Sequence, residues 1–414
     1  MQTVRRVILS CMVGNALEWY DFALFSYFAA TIGHLFFPAM DPLASLLMSY
    51  GAFAAGFLMR PLGAIAFGYI GDNIGRKPAL MLSVYLMAIP TTLIGLLPTY
   101  ESVGLWAPVL LTLCRLVQGF SMGGEFTGSM IFMTEYATDK NRGFVGSFAL
   151  FSAVIGVILG SACAVLITHL FEASFVQEWG WRIPFLLSCV GGLIGAYMRR
   201  SLAETPQYMA IKQSAHVSSP IKALFTEHLD KVGLVIFMDF TLAIGFFTVV
   251  SFMPGYLQQV HGFMHSNVLL VNTINSITLA SMTIFMGWVS DRVGKKRLLR
   301  LSAIGLICVA YPAFLLFEEG TIVLAFLGQM ILVVVMGIYM GPIAAVLVEI
   351  FPAPIRYSGL SLSHNLSMAI FGGTAPLVAT FLIAETGNKA SPAFYLMAAA
   401  VLSLVGLYLL RRRC

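Results

Sequence analysis

Charge is what this sequence has least of. Only 10% of its 414 residues are Asp, Glu, Lys or Arg, and 59% are apolar. An ordinary soluble domain carries about 25% charged residues, so that class is excluded. The six cysteines are scattered, with no CxxC pair and no metal-ligand spacing. They read as small apolar packing residues. No two histidines stand at ligand spacing on one helix face, so no metal site is expected. The net charge of +5 comes without a basic stripe interleaved with aromatics, which excludes a nucleic-acid partner. No nucleophile sits beside a general base. An enzyme is therefore not expected, nor an organic cofactor.

What the chain does have is long apolar runs, each able to cross a hydrocarbon core of about 30 Å. Twelve are expected, at roughly 7–37, 43–70, 79–98, 106–136, 143–171, 182–201, 231–258, 264–289, 298–317, 321–350, 356–384 and 391–410. The first carries acidic residues and lacks a small-residue cleavage site, so it reads as a retained span rather than a signal peptide. Orientation follows from the basic residues. With both termini cytoplasmic, only Arg182 and Lys389 fall outside and only Arg60 and Arg115 lie within the bilayer. The rest face inward, as the positive-inside rule requires. The expected fold class is an all-α integral membrane protein of two six-helix bundles, 1–201 and 229–414. A cytoplasmic linker at 202–228 joins them.

The two halves share a motif. Gly68-Tyr-Ile-Gly-Asp72-Asn-Ile-Gly75-Arg76-Lys77 returns 219 residues later as Gly287-Trp-Val-Ser-Asp291-Arg-Val-Gly294-Lys295-Lys296. Glu135 and Arg142, between spans 4 and 5, return at almost the same offset as Glu349 and Arg356. A membrane protein of two related halves is the pattern of alternating-access transport. Asp72 can accept hydrogen bonds from a helix N-terminus, and Arg76 can pair with an acidic helix end.

The duplicated loop resembles that of the major facilitator superfamily. Further stretches are similar to its metabolite:proton symporter family, which includes proline/betaine, α-ketoglutarate, citrate and shikimate transporters. They are Gly14-Asn-Ala-Leu-Glu18-Trp-Tyr-Asp21-Phe, Arg60-Pro-Leu-Gly63, Arg115-Leu-Val-Gln118-Gly119-Phe-Ser-Met-Gly123-Gly124-Glu125 and Trp179-Gly-Trp181-Arg182-Ile-Pro184-Phe. The resemblance implies a twelve-helix transporter in the inner membrane of a bacterium. It also implies that the Asp72/Arg76 and Asp291/Lys295 loops gate the cytoplasmic side in the outward-facing state.

Charges inside a bilayer are costly, so each needs a reason. Glu18 and Asp21 share a helix face, and Arg115 on span 4 reaches the same depth, roughly 16 Å from the inner surface. An arginine between two carboxylates is a plausible proton switch. Glu18 or Asp21 is therefore expected to bind the coupling proton, with Arg115 touching both it and the substrate. The other reading is a static ion-pair network. Arg60 and Glu125 come out together nearer the cytoplasm, as an inner pair that either gates or only packs. Asp239 could favour a cationic substrate group. Asn272, Asn275, Gln329, His364 and Asn365 are the polar residues of the second half that could meet substrate. Tyr20, Trp19 and Tyr256 could box a quaternary ammonium by cation–π contact.

The expected function is proton-coupled uptake of a small zwitterion or monocarboxylate. A di- or tricarboxylate symporter and a proton-driven exporter are the alternatives, and sodium is the alternative coupling ion. A monomer in contact with membrane lipid is expected, with the small solute as its partner.

Overall fold

The computed structural model describes residues 4–38, 42–212 and 220–412. Every regular element among them is helical. Proline opens several helices, at Pro42, Pro206, Pro220 and Pro392, where its missing N–H has no intrahelical partner to lose.

Among the described residues, nine helices are long and apolar enough to cross a membrane, and a bent pair, Ala173–Gly180 with Arg182–Arg200, makes a tenth. The two expected spans outside that set are Val4–Tyr27 with Ala29–Phe36, and Trp106–Tyr136. These are the spans that carry Glu18, Asp21, Arg115 and Glu125. Large apolar side chains such as Leu58 (77% exposed) and Leu377 (71%) cover the outside, as a hydrocarbon solvent allows.

The chain divides into two compact units, one of 1–136, 152–221 and 353–362, the other of 137–151, 222–352 and 363–414. The division departs from the chain midpoint because each unit claims a short helix start from the far half of the sequence. Residues 353–362 pack with the first unit, and 137–151 with the second.

Glycine sets the closest helix contacts within each unit. In the first, Pro42–Asn73 crosses Trp106–Tyr136 where a Cβ on Gly119 would run into the Gly56 carbonyl, and one on Gly63 into that of Phe120. In the second, His265–Val293 meets Ile322–Ile350, and a Cβ on Gly341 would lie 2.5 Å from the Gly287 nitrogen. Small residues let membrane helices approach this closely.

Candidate functional site

The first unit holds a polar cluster deep in its helices. Glu18 and Asp21 sit one turn apart on Val4–Tyr27, both buried. Arg115, on Trp106–Tyr136, donates from Nη1 to Asp21 Oδ2 at 2.6 Å. Gln118, one turn further on, donates to the other Asp21 oxygen at 2.9 Å and to Thr91 Oγ1 at 2.6 Å. The Arg115 guanidinium lies 3.8 Å from the centre of the Phe25 ring. Neither oxygen of Glu18, and neither Nε nor Nη2 of Arg115, has a hydrogen-bond partner among the described residues. The expected three-part switch is thus a bonded pair, Asp21–Arg115, with Glu18 outside its hydrogen bonds and facing chiefly the charge of Arg60. A cavity of about 10 Å³ is lined by Glu18, Asp21, Arg115 and the rings of Phe22, Phe53 and Phe57. That is room for about one water.

The arginine that engages Glu125 is Arg199, from the end of Arg182–Arg200. Its Nη1 donates to Oε2 at 2.7 Å and its Nη2 to Oε1. Ser83 donates to the same carboxylate at 2.5 Å. Arg60 lies with its guanidinium 5.6 Å from the centre of the Phe57 ring. The sequence reading paired Glu125 with Arg60 because both come out at one depth. Arg199 was counted as a cytoplasmic residue, yet it is 1% exposed and points back into the bundle.

The two motif loops are built alike. Asp72 accepts from the backbone N–H groups of Tyr357 and Ser358, at 3.0 and 2.8 Å. Asp291 accepts from those of Gly143 and Phe144, at 2.7 and 2.8 Å. Each aspartate therefore caps the first turn of a helix, Arg356–Ser367 or Arg142–Leu170. The motif glycines after them, Gly75 (φ 147°) and Gly294 (φ 105°), take backbone angles that side-chain-bearing residues avoid. The cations differ. Arg76 binds Asp72 at 2.6 Å and stands 3.6 Å from Glu135. Lys295 leaves Asp291 to its cap and binds Glu349 at 2.9 Å. Arg356 binds Glu135 at 2.8 Å, and Arg142 stands 3.6 Å from Glu349.

A family model described as Major Facilitator Superfamily matches residues 11–362, and again 265–413. The chain belongs to the major facilitator superfamily. It is 36% identical over 418 residues to the proline/betaine transporter of Salmonella typhimurium, covering 97% of this chain and 82% of that one. It is 37% identical over 423 residues to a glycine betaine/proline/ectoine/pipecolic acid transporter, OusA, of Dickeya dadantii, covering 98% and 83%. Among solved structures, the proton:xylose symporter XylE superposes with a TM-score of 0.81 at 18% identity, over 99% of this chain and 95% of XylE. That likeness shows the fold. A multi-pass membrane transporter of a small molecule, and not an enzyme, follows from the family and its named relatives.

In the second unit of this facilitator, Asp239 is bound to His364, Oδ2 to Nδ1, at 2.8 Å. Gln329 donates to Asn272 Oδ1 at 3.2 Å. Asn275 and Asn365 are buried. Tyr256 donates to the Lys389 carbonyl at 2.9 Å and packs its ring against Phe252, Phe314 and Phe317. Tyr20 donates to the Pro184 carbonyl at 2.9 Å, and Trp19 packs on Phe22 and Phe126. Each aromatic of the supposed ammonium box thus has a packing role within its own unit. A separate cavity of about 210 Å³ is lined by Ser251, Tyr256, Gln259 and Thr380 among others. Among the described residues, no group of three His, Cys, Asp or Glu could hold a metal ion. Sequence reasoning missed Gln118, Thr91 and Ser83. Only Gln118, one turn from Arg115 on the same face, left a legible trace.

Proposed function

We propose that this facilitator is a proton-coupled symporter that takes up small zwitterions of the proline and betaine kind by alternating access. The observation that carries the reading is Glu18, a buried carboxyl without a hydrogen-bond partner, lining one cavity with Arg115, two of whose nitrogens make no hydrogen bond. Burying an ionised carboxyl without hydrogen bonds costs far more than burying a neutral acid. Glu18 is then where the coupling proton is carried, while Asp21 keeps Arg115 in place. The free edge of Arg115 receives the substrate carboxylate, for which a guanidinium offers paired donors. The small cavity at Glu18 marks where solute and proton meet, and the Phe22, Phe53 and Phe57 rings part to admit the solute.

The names of the relatives support a zwitterion. A zwitterion entering with one proton carries a net positive charge, so a 100 mV inside-negative potential adds about 2.3 kcal/mol to its accumulation. The loops at Asp72/Arg76 and Asp291/Lys295 serve as conformational latches, with Arg60 and Glu125–Arg199 bracing the first unit. Asn272, Asn365, Tyr20 and Tyr256 are the remaining candidates for solute contact. The setting is the inner membrane of a bacterium, both termini cytoplasmic, the protein acting as a monomer.

The experiment is uptake by the reconstituted protein of labelled proline, glycine betaine, α-ketoglutarate and citrate under an imposed pH gradient. Accumulation of the zwitterions that a protonophore abolishes is expected. Accumulation of the anions alone, or accumulation that follows sodium and ignores the protonophore, would refute the reading.

A further inference from the structure

The second unit contains a buried acid–base pair for which the Glu18 mechanism has no use. Asp239 stands about ten residues, or roughly 15 Å, into its span, and His364 roughly 12 Å into its own. Asp239 is 0% and His364 1% exposed. The pair is joined at 2.8 Å, and Asp239 Oδ1 has no hydrogen-bond partner among the described residues. Ionisable residues in such a place call for a function before a packing role.

The backbone around the pair is unusual in a second, independent way. The helix of Asp239, Leu229–Phe247, runs into a π-helical turn at Thr248–Phe252. The helix of His364, Arg356–Ser367, runs into another at Met368–Gly372. The second turn packs on the end of the Asp239 helix, since a Cβ on Gly372 would lie 2.9 Å from the Phe247 ring. π-turns of this kind concentrate at functional sites.

The other groups around Asp239 are few. Tyr339, from Ile322–Ile350, donates to the Met238 carbonyl at 2.6 Å. Ser403, from Pro392–Arg412, donates to the carbonyls of Phe237 and Met238. The turn Met368–Gly372 contributes no titratable side chain, and Glu385 near the end of Ala375–Thr386 is exposed. His364 is thus the one basic group bonded to Asp239 among the described residues, and Tyr339 the other titratable neighbour.

We propose that Asp239 and His364 form a second proton-binding site, in the second unit and independent of Glu18. Empty, the pair is a carboxylate accepting from a neutral imidazole, with a net charge of −1. Loaded, one proton is added at His364 Nε2, and the pair is an imidazolium–carboxylate of net charge zero. Two groups this close titrate as a unit.

The test uses protons alone, so it does not depend on the solute being a zwitterion. The full-length protein in lipid nanodiscs, with its histidines labelled with nitrogen-15, is titrated from about pH 5 to 8. The His364 resonance, assigned by its loss in His364→Gln, is expected to switch protonation state. It should do so in wild type and in Glu18→Gln alike, and Asp239→Asn should displace the transition. Should Asp239→Asn fail to fold, the wild-type and Glu18→Gln titrations decide the matter without it. A His364 resonance fixed in one state across the range, or one whose transition vanishes with Glu18→Gln, overturns the proposal. In the first case the pair is a static packing contact. Zwitterion transport can fail while this result stands, and the reverse.

Discussion

Alanine at the two motif aspartates should have unequal effects, although the two loops read almost identically. Each aspartate caps a helix through two backbone N–H groups. Losing such a cap costs about 0.5–2 kcal/mol. At Asp291 that is the whole loss, because Lys295 is bound to Glu349. At Asp72 the change also strips the fully buried Arg76 of its nearest carboxylate, at 2.6 Å. Breaking one side of a buried ion pair costs about 3–5 kcal/mol. Glu135 at 3.6 Å and the carbonyls of Gly71 and Ala353 still face Arg76, which places the added loss at the lower end of that range. Asp72→Ala should therefore destabilise by about 3 kcal/mol beyond Asp291→Ala. Denaturant unfolding of the purified variants in detergent measures both. The double variant Asp72→Ala/Arg76→Gln should recover part of the excess, because the orphaned charge is gone. Equal losses at the two aspartates, or no recovery in the double variant, would refute the reasoning.

Three further outcomes are expected. Gly14→Ala should destabilise by about 1–3 kcal/mol through overpacking, because its Cβ would meet Arg199 Nη2 and Glu125 Oε1, while Gly51→Ala, with nothing within 4 Å, should be tolerated; thermal unfolding of both variants compares them. Glu125→Gln and Arg199→Gln should each cost about 3–5 kcal/mol, and the double variant should cost less than their sum, which a double-mutant cycle of unfolding free energies reports. Glu204, half-buried on the linker, has its carboxyl raised above the usual range chiefly by burial, against backbone hydrogen bonds from Thr205 and Lys77. A raised acid favours the folded state while protonated. That contribution is lost as pH rises from about 4.3, the ordinary glutamate value, through the folded one, so Glu204→Gln should flatten the fall, as unfolding midpoints across that window would show.

The fold is legible in the sequence because bilayer spans announce themselves by length and apolarity. The spans holding Glu18 and Arg115 are less apolar for the same reason that they matter. The motif aspartates are legible too, since a short acidic side chain between helices has few partners except a helix N-terminus. Arg199 is not legible. A basic residue at the end of a span ordinarily marks the membrane face, and nothing in the sequence says that its long side chain folds back to Glu125. The Asp239–His364 pair is equally hidden, because 125 positions separate the partners and no periodicity links them. The meeting of Arg115 with Asp21 was readable from depth alone, but which acid would be left without hydrogen bonds depended on Gln118, whose amide donates to Asp21's second oxygen.

The central claim is that Glu18 carries the coupling proton, and one comparison tests it most directly. Wild type and Glu18→Gln are reconstituted, and each is assayed for uptake driven by a pH gradient and for solute exchange at equal concentration on both sides. Glutamine keeps the shape and stays neutral, so the account predicts exchange at near wild-type rates with no gradient-driven accumulation. Accumulation that survives in Glu18→Gln, at the wild-type ratio, would contradict it.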